Sequence, residues 1–173
     1  TASFLTLFDT VTTVVGRAES EEAFHAKAQA VHDALLEYHR LFDIYNDYDI
    51  PNLKTVNDSA GVAPVKVDER IIALLLDCKA YYELTGGRVN AAMGSVLSLW
   101  HEARAEGLRD PRLARLPDKG ALTAAAEHTD MEGVILDTDA STVYLSDPQL
   151  RLDVGAIAKG WSAEYAADSA PEG

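Results

Sequence analysis

Cysteine is nearly absent from this sequence of 173 residues: Cys78 stands alone, so no disulfide forms within the chain. That count excludes a disulfide-stapled scaffold but does not fix a compartment, because proteins of oxidising compartments also fold without disulfides. Basic residues are scarce as well. Fifteen Lys and Arg face 28 Asp and Glu, for a formal net charge of −13. Phosphate backbones attract basic surfaces, so this balance argues against a nucleic-acid partner. An anionic ligand would need local help from a cation, a helix N-terminus or a metal. Long apolar runs are missing too. None approaches the ~18–20 residues of a membrane-spanning helix, and the longest, Ile71-Ile-Ala-Leu-Leu-Leu76, fits one buried face of a helix. No repeat or low-complexity linker is visible. What remains, 47% hydrophobic and 25% charged, is the composition of a globular chain with a sizeable core.

Periodicity then divides the chain. Alternation with β-branched residues over 8–15 predicts a strand that stops at Gly16. Ser20 is the predicted cap of a first helix, with Glu21 and Glu22 at its positive end. Phe24, Val31, Leu35, Tyr38 and Phe42 follow helical spacing and predict its buried stripe. His25, His32 and His39 recur every seven residues on another face. Two turns separate neighbours by about 10 Å, too far for one shared metal ion. They are expected on a solvated face.

Residues 43–61 are polar and irregular, with a short helical turn expected near 54–57 and an extended piece at 64–67. Asp68 caps a second helix that runs to Leu84 and is stopped by Gly86-Gly87. Cys78 falls within it as a small core-facing residue. Helical pattern returns at 95–106 and 122–126, and three strands are expected at 133–137, 142–146 and 150–154. Strand and helices first, antiparallel β-meander later, make an α+β fold.

The run Leu152-Asp-Val-Gly-Ala-Ile-Ala-Lys-Gly-Trp161 carries the most chemistry. An apolar extended piece holds a carboxylate, Asp153, and turns through Gly155 and Gly160 into a helix pattern at 162–168. Backbone N–H groups at a helix start have no intrahelical partner and suit a phosphate. Lys159 adds a positive charge, while Ala156 and Ala158 leave room for close approach. A connection that uses glycine for geometry alone fits the same residues.

This run resembles the most distinctive sequence of the ApbE family, the FAD:protein FMN transferases. Three further stretches are similar to that family in the same order: Phe8-Asp-Thr-Val-Thr-Thr-Val-Val15; Phe42-Asp-Ile-Tyr-Asn-Asp-Tyr48 with Leu53-Lys-Thr-Val-Asn57; and Val89-Asn-Ala-Ala-Met-Gly-Ser-Val-Leu-Ser-Leu-Trp100. The resemblance implies an ApbE-like, T-fold-related architecture. It places residues 1–173 as the N-terminal portion of a single flavin transferase domain, with the C-terminal half missing.

The same resemblance implies a site. Tyr45 matches a flavin-nucleotide tyrosine, and Phe8 lies where the family often has a methionine against FAD. Arg88, Val89 and Asn90 match a segment that lines the nucleotide pocket, Asn90 replacing the more usual Asp. Asp153 matches a carboxylate that helps hold FAD, and Lys159 a position that contacts it. Asn57 resembles a residue that influences whether FAD is cleaved or used for transfer. Ala156 matches a position whose main-chain carbonyl ligates Mg²⁺. Trp100 and Trp161 match structural positions. No catalytic residue is identified.

The implied reaction is attack on the FAD pyrophosphate by a threonine hydroxyl of an acceptor flavoprotein, releasing AMP. The acceptor would be a subunit of a membrane redox complex at the cell envelope, with a membrane tether outside this chain. Two other functions stay open: an FAD-binding protein or FAD pyrophosphatase that gives FMN and AMP, and a non-catalytic flavin-binding module. A plain acidic α+β domain leaves the four ordered matches unexplained.

Overall fold

The computed structural model describes residues 1–8 and 10–168. The strand expected over 8–15 is one arm of a hairpin. Strand β1 (Ala2–Leu7) pairs antiparallel with β2 (Thr10–Val14), and Phe8 lies in the connection with φ of 52°. The alternation of Thr and Val over 10–14 is the genuine strand signal. Asp9, inside the expected strand, lies outside the described residues. Left-handed backbone is strained for a bulky side chain. Here the Phe8 N–H donates to His39 Nδ1 at 3.3 Å, and the two rings meet edge to face at 5.4 Å.

Helix α1 (Glu21–Phe42) starts where Ser20 Oγ accepts the Ala23 N–H, as its sequence predicts. Leu35, Tyr38 and Phe42 are buried, while Phe24 and Val31 are half-buried. The short turn after it is α2 (Leu53–Asp58), fixed by a reciprocal capping box between Asn52 and Thr55. Helix α3 (Glu69–Leu84) begins at the Asp68 cap and ends before Gly86 and Gly87, both with positive φ. It supplies Ile71, Leu74, Leu75 and Cys78 to the main core, and burial, then the neighbouring Asp77, pushes the Cys78 thiol up to about 12. Helices α4 (Gly94–Arg109) and α5 (Lys119–Ala126) follow.

The β-meander is only partly as expected. Strands β4 (Val134–Asp137) and β5 (Thr142–Leu145) form a hairpin, and the third strand is β3 (Val65–Lys66), in the order β3-β5-β4. Residues 150–154 do not join that sheet. They are extended, with Leu150, Leu152 and Val154 buried, but the backbone bonds elsewhere. The Asp153 N–H donates to the Ala91 carbonyl at 2.8 Å, and the Gly94 N–H to the Arg151 carbonyl at 2.9 Å. Alternating burial produces the same sequence pattern whether the partner is a sheet or a loop.

Helix α6 (Ala158–Asp168) closes the fold. Trp161 packs edge-on against Tyr38 and Phe42 of α1, and its indole N–H donates to Asp77 Oδ2 of α3 at 2.7 Å. Trp161 is thus a structural residue, as the resemblance implied; Trp100 is 44% exposed on α4. No helix among the described residues is long and apolar enough to cross a membrane.

Gly94 is where α4 meets the 150–154 segment. A Cβ there would stand 2.6 Å from the Arg151 carbonyl oxygen. Gly94→Ala is therefore expected to destabilise the chain by about 1–3 kcal/mol through forced separation of the two backbones. Urea unfolding followed by circular dichroism measures this; an unchanged midpoint would contradict the close approach.

Candidate functional site

Four parts of the chain surround a cavity of about 700 Å³: the hairpin turn, the C-terminal end of α1 with the loop after it, one face of α4, and the turn into α6. This volume falls within the ~300–1,000 Å³ range of small-molecule sites. Each wall has a local cause.

The turn into α6 is held from behind. Asn57 is buried, and its side-chain amide donates to the Leu152 carbonyl at 3.0 Å while its oxygen accepts the Leu152 N–H at 2.7 Å. With Leu152 fixed inward, the period of two aims Asp153 the other way, into the cavity. The Asp153 carboxylate is 12% exposed. It accepts the Gly155 N–H at 2.9 Å and lies 3.4 Å from His101 Nε2. One N–H that the glycine turn was expected to offer a phosphate is therefore taken by Asp153.

The loop after α1 is organised by Asp43. Its carboxylate accepts the Tyr45 and Asn46 N–H groups at 2.6 and 3.0 Å, the Asn46 side chain at 2.7 Å and the Tyr48 hydroxyl at 2.9 Å. Burial raises the Asp43 pKa, but these donors outweigh it and hold the carboxyl below its usual range. The result presents Tyr45, 58% exposed, with its ring perpendicular to His101 at 5.9 Å.

The cavity brings together Phe8, Tyr45, Asp153 and Lys159 of the expected site. It does not include Asn57, Arg88, Val89 or Asn90 in its lining. Asn57 lies behind the wall, engaged with Leu152. Arg88 is exposed beyond α3, and the Val89 N–H bonds Thr85 Oγ1 at 3.0 Å. Asn90 donates to the Thr129 carbonyl at 2.9 Å and accepts the Ala92 N–H at 2.8 Å. Ala156 is exposed in the turn next to the cavity.

Among the lining residues that were not anticipated are the nitrogen-bearing His39, His101 and Arg104. The heptad spacing had put His39 on a solvated face; instead it lies beside Phe8 at the pocket end of α1. The α4 pair did leave a signal. His101, Arg104, Ala105 and Leu108 fall at i, i+3, i+4 and i+7 on one face of that helix, and all four line the cavity.

The pattern of residues has known counterparts. The ApbE family matches residues 8–172. This chain belongs to the ApbE family. It is 34% identical over 147 residues to the FAD:protein FMN transferase of Treponema pallidum (strain Nichols), covering 79% of this chain and 39% of that protein. It is 34% identical over 113 residues to the FAD:protein FMN transferase of Klebsiella pneumoniae (strain 342), covering 65% of this chain and 34% of that protein. The crystal structure of the ApbE protein from Thermotoga maritima superposes with a TM-score of 0.80 at 23% identity, over 96% of this chain and 50% of that one. The α+β architecture is thus the ApbE fold. The chain spans well under half the length of the curated relatives it matches.

The Mg²⁺ that the resemblance implies can be compared with this chain. Among the described residues, no group of three or more His, Cys, Asp or Glu could hold a metal ion. Mg²⁺ takes near-octahedral oxygen ligands, and the resemblance implied only one here, the Ala156 carbonyl. The described residues do not by themselves form a Mg²⁺ site.

Two outcomes follow for this wall. Asn57→Ala leaves the buried Leu152 N–H and carbonyl unpaired and should cost about 2–4 kcal/mol in urea unfolding; a loss below ~0.5 kcal/mol would show that Asn57 does not hold the segment. Asp43 gives a pH signature. Its folded pKa lies below the ordinary 3.8, so its contribution is complete above that value and is lost as pH falls through the lower folded one. Asp43→Asn should therefore flatten part of the acid limb of Tm against pH, below about pH 4; an unaltered limb would contradict it.

Proposed function

We propose that this chain carries the flavin-nucleotide wall of an FAD:protein FMN transferase. One observation carries the reading: among the described residues, the charged side chains that line the cavity without a partner from the chain are cations. Asp43 and Asp153 are both engaged by donors of the chain itself. Arg104 and Lys159 line the same cavity and have no carboxylate partner among the described residues. In a chain of net charge −13, these two cations beside aromatic walls of Phe8 and Tyr45 suit a ligand with flat rings and a pyrophosphate. Relatives named FAD:protein FMN transferase, at 34% identity, support the same reading.

The chemistry follows from FAD. A threonine Oγ of the acceptor protein bonds to the FMN phosphorus as the bond to the bridging oxygen breaks. AMP leaves with that oxygen, and the hydroxyl proton passes to solvent. Phosphoryl transfer of this kind depends on positioning and charge neutralisation. Phe8 and Tyr45 would orient the rings, while Arg104 and Lys159 would meet the phosphates. Mg²⁺, when bound, would neutralise phosphate charge, with the Ala156 carbonyl as one oxygen ligand. The proposed setting is the cell envelope, with a flavoprotein subunit of a membrane redox complex as acceptor and a membrane tether outside this chain. The names of the relatives carry FAD, FMN and a protein acceptor, and no more.

FAD fluorescence titration tests the pocket. Replacing Arg104 and Lys159 together by Glu should weaken binding by about tenfold or more and remove most of its salt dependence. Equal affinity in wild type and variant would refute the cationic reading. AMP release only with an acceptor protein marks a transferase; release without one marks a pyrophosphatase, and stoichiometric binding with no release a storage module.

A further inference from the structure

His101 touches both Asp153 and Tyr45 of the cavity, and the expected site does not include it. It projects from α4, is 43% exposed, and places Nε2 3.4 Å from Asp153 Oδ2. A carboxylate only accepts, so Nε2 carries the proton in this contact. The opposite carboxylate oxygen is fixed by the Gly155 N–H at 2.9 Å. The backbone beneath is fixed by Ala91 and Asn57. His101 is therefore the side-chain contact that sets the direction of the free oxygen. The same imidazole forms the floor under the Tyr45 ring, at 5.9 Å and nearly perpendicular.

We propose that His101 is a positioning residue of the flavin-nucleotide pocket, which orients the Asp153 carboxylate and backs the Tyr45 ring. The inference rests on the flavin reading above. The 3.4 Å contact is long for a hydrogen bond, and bonds of this kind in binding sites tighten when a ligand is seated.

Among the described residues, the charged side chains that line the cavity with His101 are Asp153 and Lys159 from the turn into α6, Asp43 after α1, and Arg104 of its own helix. Glu102 and Glu106 line a different cavity, with Arg115, on the other side of α4. His39 accepts the Phe8 N–H through Nδ1, whereas His101 is the imidazole that meets Asp153.

The test is FAD titration of the 173-residue chain at one neutral pH, with circular dichroism melts as a folding control. His101→Ala should bind about tenfold more weakly, the scale of one lost hydrogen bond to a charged group. His101→Gln keeps a donor and should restore affinity to within about twofold of wild type. Wild-type affinity in His101→Ala, or a Gln variant as weak as the Ala variant, would overturn the positioning role while leaving the flavin reading intact. No FAD binding by wild type would overturn the flavin reading itself, and this inference with it.

Discussion

Two hydrogen bonds between the Asn57 side chain and the Leu152 backbone hold the segment on which the cavity depends. They join α2 to a stretch 95 residues away, where no strand ladder exists to do so. A carboxamide suits this task because one side carries a donor and the other an acceptor, matching the N–H and carbonyl of one extended residue. With Leu152 fixed, Leu150 and Val154 pack into the core, and Asp153 faces the cavity. Ala91 and Gly94 close the other edge of the same segment. The helix α6 that follows then docks by Trp161, whose ring meets α1 and whose N–H meets α3. Local backbone satisfaction, core packing and the direction of one carboxylate are thus consequences of a single clamp.

The acidic character of the chain has a structural outlet separate from the cavity. Asp68, Asp110, Asp118 and Asp130 each stand at the start of a helical segment and accept a backbone N–H of its first turn. Such groups complete backbone hydrogen bonding and favour the positive helix end. Asp43 does the same for a loop. These acidic groups serve caps and turns, so an acidic chain can still present Arg104 and Lys159 to an anion. Net charge described the surface of this protein; it did not describe the pocket.

Much of the fold was legible. Caps at Ser20 and Asp68, the stop at Gly86-Gly87 and the β4–β5 hairpin depend on neighbours a few residues away, which a sequence displays directly. The failures share a different cause. Phe8 adopts a left-handed turn because His39, 31 residues on, receives its N–H. Residues 150–154 alternate like a strand, yet their partners are a loop and an amide side chain. His39 followed a heptad that suggested solvent, because its neighbour in space is the hairpin turn. Four expected site residues line one cavity, whereas Asn57 and Asn90 bond backbone groups outside its lining. The α4 face of His101, Arg104, Ala105 and Leu108 was visible as spacing, but spacing alone does not say what a face looks upon.

The most direct measurement of this account is a crystal structure of the chain with FAD. The account predicts flavin density against Phe8 and Tyr45, with the pyrophosphate towards Arg104 and Lys159 and Asp153 still held between Gly155 and His101. FAD seated instead along the Arg88–Asn90 segment, away from the clamped turn, would contradict it.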